Sequence, residues 1–209
     1  MFKFEIVDNF LNNEDFNELC SVKLKNIKNT EIGIYHNIIY KNGHTVVDCL
    51  SEKFVKRLFD NYHNKTIKLL EKLNQKKVDL YEYSDFCIIE SGANFKFPIH
   101  ADTTDKLLSG VVYLKPKNNE GTVLYDNKKG ENRKEIEWKQ NRALFFSRLE
   151  NNTYHSFRGD NKSSRIVLVC NLMTTNKRGV CEAEGINYPM SKIKEFLNSY
   201  FHRFLKKVF

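Results

Sequence analysis

Phe97-Pro98-Ile99-His100-Ala101-Asp102 sets an imidazole and a carboxylate two residues apart. In an extended segment residues i and i+2 project to one face, so His100 and Asp102 can converge on a single point. His155 lies far enough downstream to come from a different strand. Two imidazoles and one carboxylate make the facial triad that favours Fe(II) and leaves coordination positions open. Arg165 follows ten residues after His155 and heads the apolar run Ile166-Val167-Leu168-Val169-Cys170. A guanidinium there suits a carboxylate, its preferred bidentate partner. Each feature alone has a plain structural reading. The triplet can be two solvated groups on a surface strand, His155 a satisfied core or surface histidine, and Arg165 an edge residue reaching water.

Together the three are far more specific. Their order and spacing resemble the Fe(II)/2-oxoglutarate-dependent dioxygenases, in particular the prolyl-4-hydroxylase-like branch in its small single-domain bacterial or viral form. The resemblance continues in Leu107-Leu108-Ser109-Gly110-Val111-Val112-Tyr113-Leu114, in Glu120-Gly121-Thr122-Val123-Leu124, and in Asn141-Arg142-Ala143-Leu144-Phe145-Phe146. It covers about residues 80–175, with a weaker echo in 3–20.

The resemblance implies a fold that is mainly β with flanking helices. A double-stranded β-helix, a jelly-roll of cupin-like form, would carry N- and C-terminal helices on its larger sheet. It implies that His100, Asp102 and His155 hold Fe(II) as the catalytic metal ligands, and that Arg165 binds the far carboxylate of 2-oxoglutarate. With O₂, and with ascorbate as a candidate reductant, the expected reaction hydroxylates an aliphatic C–H. It is coupled to decarboxylation of 2-oxoglutarate to succinate and CO₂.

Strand parity extends the reading. If Arg165 faces inward, so do Val167, Val169 and Asn171. Aligning the Tyr113-Leu114 pair with the resemblance sets Val112 towards the co-substrate, and leaves Tyr113 and Thr122 as candidates for its remaining hydrogen-bond donor. Loops at 91–97, 103–106 and 126–134 are expected at the metal mouth, the last reading best as a solvated hairpin tip. Arg148 and Arg158 flank the distal histidine. They could bind an anionic substrate, although solvent-facing arginines are the simpler expectation.

These residues need a scaffold, and the chain has the material for one. It has 209 residues, 41% hydrophobic and 29% charged, with 9 Gly and 3 Pro. That excludes a disordered, collagen-like or low-complexity chain. One domain over 1–209 is expected: helical N-terminal support over about 1–78, a jelly-roll core over about 79–175 and a C-terminal helix over about 191–208. Residues 3–8 alternate like a short strand. Asn12 and Ser51 read as helix caps, and 51–75 carries the strongest helical stripe, through Phe54, Leu58, Tyr62, Leu69 and Leu73. Short apolar runs at 86–89, 107–114, 122–125, 143–146 and 166–172 read as strands. The apolar face of the C-terminal segment is most simply core. Its basic face (Lys192, Lys194, Arg203, Lys206, Lys207) leaves a membrane surface or a second subunit as alternatives.

The net charge of +8 suggests an anionic partner only weakly, because Asn, with 24 copies, is abundant alongside Lys. A peptidyl, prolyl-like or small-molecule substrate is expected. A nucleic-acid oxygenase is a subordinate alternative: relatives of that kind carry a second arginine six residues after the first, where this chain has Asn171. A non-catalytic jelly-roll binding protein is the alternative from another class. Five cysteines without a C-x-x-C pair, no signal-peptide pattern and no membrane-length apolar run point to a reducing, cytoplasmic setting, or the host cytoplasm if virus-encoded.

Overall fold

The computed structural model describes residues 1–192. In chain order its elements are β1 (Glu5–Val7), α1 (Asn13–Ser21), β2 (Ile32–Tyr35), β3 (Asn37–Tyr40), β4 (Thr45–Val47) and α2 (Glu52–Asn74). A 3₁₀ turn at Gln75–Leu80 leads into β5 (Tyr83–Ser91), β6 (Lys96–His100), β7 (Lys106–Lys115) and β8 (Thr122–Tyr125). Then come β9 (Lys134–Ile136), β10 (Ala143–Phe146), β11 (Tyr154–Arg158), β12 (Arg165–Met173) and α3 (Lys177–Glu184).

The strands form two antiparallel sheets. The larger runs β1-β10-β7-β12-β5-β3-β4, with β2 also paired to β5; the smaller runs β6-β11-β8-β9. This is a jelly-roll core, with the smaller sheet supplying one wall and the larger sheet the other.

Alternation along β12 shows how the larger sheet is used. Ile166, Leu168, Cys170 and Leu172 pack in one core with Phe54, Val55, Leu58, Tyr62 and Leu70 of α2. Val167 and Val169 lie on the opposite face, clustered with Cys87, Tyr113 and Trp138. The first face is the structural core, where burying each large aliphatic side chain contributes roughly 1.5–3 kcal/mol. The second face is the inside of the jelly-roll.

The helices start where their capping residues dictate. Asn12 Oδ1 accepts from the Asp15 amide at 2.8 Å, and Ser51 Oγ accepts from the Phe54 amide at 3.2 Å. Asp15, itself buried, receives the Tyr62 hydroxyl at 2.6 Å and Arg57 Nε at 2.8 Å, which ties α1 to α2.

Residues 1–78 are less purely helical than the sequence suggests, because β2, β3 and β4 extend the larger sheet. Asn37 explains the difference. It is fully buried, yet its Oδ1 accepts the amides of Asp48, Cys49 and Leu50, and its Nδ2 donates to the Phe86 carbonyl at 3.0 Å. A polar residue satisfied in this way reads as loop in a hydrophobicity pattern. The helix expected over 191–208 lies, from residue 193 onward, outside the described residues. No described helix is long and apolar enough to cross a membrane.

Candidate metal centre

β6 and β11 are neighbours in the smaller sheet, and His100 and His155 are register partners across them. Their ring centroids are 4.2 Å apart. Asp102 lies just past the end of β6, and one ligand atom from each of His100, Asp102 and His155 lies within 4.8 Å of the others.

Each imidazole is oriented by a backbone carbonyl. His100 Nδ1 lies 3.0 Å from the Pro98 oxygen and His155 Nδ1 lies 3.2 Å from the Thr153 oxygen. A carbonyl only accepts, so each Nδ1 carries the proton and each Nε2 keeps its lone pair for a ligand. Burial, reinforced by the neighbouring His155, pushes the His100 imidazole down to about 4. Burial likewise lowers His155. Both are therefore neutral at neutral pH, the state that binds metal.

Both oxygens of the carboxylate are held by neighbouring side chains. Lys106 Nζ donates to Asp102 Oδ1 at 2.8 Å, and Ser109 Oγ donates to Oδ2 at 2.6 Å. Burial pushes the Asp102 carboxyl up, but Lys106 and then the two histidines outweigh it and hold the group well below the usual carboxylate range. Two neutral nitrogen donors and one permanently ionised oxygen donor suit Fe(II) with open positions.

Arg165 lies deeper, on the inner face at the head of β12, and is 2% exposed. Its guanidinium carbon is 4.2 Å from the Phe157 ring centroid, 5.3 Å from Trp138 and 5.8 Å from Tyr113. Its Nε has no hydrogen-bond partner. Burial pushes the group down to about 10, and only the Tyr113 phenol acts against that. It is still charged at neutral pH, so a buried cation stands among rings with no carboxylate against it among the described residues. A carboxylate ligand answers that arrangement.

The fold recurs in solved proteins. The chain is similar to a prolyl-4-hydroxylase from Pseudomonas putida, with TM-score 0.54, 14% identity, and 84% of this chain and 95% of that chain covered. It is similar to a 2OG-Fe(II) oxygenase family oxidoreductase from Burkholderia pseudomallei, with TM-score 0.54, 11% identity and coverages of 81% and 84%. A Trichoplax adhaerens prolyl hydroxylase, in complex with a hypoxia inducible factor oxygen degradation domain peptide fragment, matches with TM-score 0.52, 15% identity and coverages of 85% and 86%. The fold is that of the 2OG-Fe(II) oxygenases. No protein-family model matches the sequence, and no curated protein matches it.

Within this oxygenase fold two expectations are corrected. Val112 points away from the pocket into the α2-facing core. Its neighbour Tyr113 occupies the inner face, stacked on Trp138 at 4.6 Å. The Tyr113 hydroxyl donates to Thr122 Oγ1 and accepts from the Thr122 amide, both at 3.0 Å. Arg148 is buried rather than solvent-facing. It bonds Glu184 at 2.9 Å, pairs with Glu150, and donates from Nε to the Asp102 carbonyl at 3.3 Å. Arg158 is exposed, 3.8 Å from Glu120.

Other residues of the site carry weaker traces in sequence. Lys106 and Ser109 follow Asp102 closely, but only register shows that they bind it. Trp138 is the single tryptophan, yet nothing in its local pattern links it to Arg165. A second group of metal-capable side chains, His36, Asp85 and Cys87, is present among the described residues. Two of its members already answer each other, His36 Nδ1 meeting Asp85 Oδ2 at 2.7 Å, and burial pushes the Cys87 thiol well up.

Proposed function

We propose that this protein is an Fe(II)- and 2-oxoglutarate-dependent dioxygenase that hydroxylates an aliphatic C–H of a peptidyl or small-molecule substrate. The observation that carries this reading is the pairing of the His100–Asp102–His155 cluster with a buried, carboxylate-free Arg165 on the facing sheet. In the proposed assignment the three residues hold Fe(II), and Arg165 binds the far carboxylate of 2-oxoglutarate. When bound, iron, 2-oxoglutarate and O₂ supply the oxidation, with succinate and CO₂ as co-products.

The chain's own part is positioning. The Pro98 and Thr153 carbonyls fix the imidazole tautomers, and Lys106 with Ser109 fixes the Asp102 carboxylate. Tyr113, Trp138 and Phe157 wall in Arg165 and keep water from its ligand, which strengthens the ion pair. Val167 and Val169 line the same face of β12 as Arg165. One domain spanning the chain is part of the proposal. The five cysteines, all free, suit a reducing compartment.

Succinate release from 2-oxoglutarate with Fe(II), ascorbate and O₂ tests the reading. Turnover is expected, coupled or uncoupled. Absence of both turnover and 2-oxoglutarate binding would favour a non-catalytic binding protein.

A further inference from the structure

Three strands of the larger sheet bring one polar side chain each to the same level on the inner face. Asp85 on β5 is the register partner of Asn171 on β12. Asn171 stands level with Ser109 on β7, because Val169 and Leu172 pair with Val111 and Leu108 on either side of it. Same-face neighbours on adjacent strands have Cβ atoms roughly 4.5–5.5 Å apart. Since the Ser109 hydroxyl bonds the Asp102 carboxylate, this row ends at the metal cluster.

Asn171 is 4% exposed, and its Oδ1 has no hydrogen-bond partner. Neither neighbour has a proton to give it. Asp85 is an acceptor, already receiving the Asn37 amide at 3.3 Å and meeting His36 Nδ1 at 2.7 Å. The single Ser109 proton is committed to Asp102. An unanswered buried acceptor costs about 1–3 kcal/mol, and folded proteins seldom leave one without a use. A ligand N–H beside it would supply the donor that it lacks.

We propose that Asn171 is a specificity-determining residue that binds an amide of the substrate, taking its N–H on Oδ1 and offering Nδ2 to its carbonyl. This rests on the oxygenase reading above and narrows its substrate to amino-acid amides and peptides. A carboxamide is the natural complement of another amide, whereas a polyanion is opposed here. Asp85 adjoins Asn171, and Lys106, further along β7, is tied to Asp102. The wall beside the row (Cys87, Val169 and Val111) is apolar and would receive the substrate's aliphatic part.

The test uses the full chain loaded with Fe(II) and 2-oxoglutarate. N-acetyl amino-acid N-methylamides are compared with analogues in which each N–H in turn is replaced by oxygen. A single-stranded oligodeoxynucleotide is included, and succinate release is the readout. At least one amide should stimulate the wild type, and one oxygen replacement should abolish that stimulation. Asn171→Leu should lower the stimulated kcat/KM roughly 10-fold or more, in line with loss of a buried hydrogen bond. It should leave the 2-oxoglutarate dissociation constant within about twofold, since no contact with that ligand is removed. Asn171→Ala serves as a second variant if Asn171→Leu does not fold. The proposal is overturned if no amide stimulates, if the oxygen analogues work equally well, if only the oligonucleotide stimulates, or if both variants match the wild type. A wild type that fails to bind 2-oxoglutarate instead removes the oxygenase reading, and this inference with it.

Discussion

His100 and His155 face each other across β6 and β11, with ring centroids 4.2 Å apart and each Nδ1 held by a backbone carbonyl. The pairing is a property of the sheet: register sets the separation, and the carbonyls set which nitrogen is free. Asp102, just beyond the strand end, closes the cluster.

His100→Ala, Asp102→Ala and His155→Ala should therefore each abolish tight Fe(II) retention while leaving the fold in place. Metal content after desalting checks this. Normal iron in any one of the three would remove that residue from the ligand set.

Ser109→Ala removes the hydroxyl that orients Asp102 Oδ2. Loss of such a supporting hydrogen bond typically lowers metal affinity about 10–100-fold. Competition with a chelator of known affinity measures the change. An unaltered affinity would mean that Lys106 alone fixes the carboxylate.

Glu184 of α3 is the acidic centre of a buried network. It receives Lys77 at 2.6 Å and Arg148 at 2.9 Å, and both cations are almost fully buried. Glu184→Ala leaves two buried cations short of their counter-charge, which should destabilise the protein by about 3–5 kcal/mol. Urea unfolding of metal-free protein reads this directly. A change within the usual surface range would show that the cations find water instead.

Much of the site is legible in the sequence because it depends on local order. The i, i+2 spacing brings His100 and Asp102 together, and alternation along 165–171 sets Arg165, Val167 and Val169 on one face, as in the structure. The strands at 122–125 and 143–146 fall where apolar runs and turn residues set them. What escapes the sequence depends on pairing between distant segments. Val112 and Tyr113 exchange roles because parity within β7 gives two alternatives and only its pairing with β12 and β10 selects one. Arg148 looks like a surface arginine until α3, some distance along the chain, brings Glu184 to it. Asn37 marks a loop by composition and a strand by its hydrogen bonds.

In the proposed function, 2-oxoglutarate binds between the metal cluster and Arg165. Anaerobic titration of the Fe(II)-loaded protein with 2-oxoglutarate, followed by the visible charge-transfer absorption of an iron–keto-acid chelate, tests it most directly. The wild type should develop this absorption with saturable binding. Arg165→Ala should keep its iron and need at least roughly 10-fold more 2-oxoglutarate, the expected loss for a buried charge-assisted pair. No absorption in the iron-loaded wild type, or an Arg165→Ala titration that overlays it, would contradict the claim.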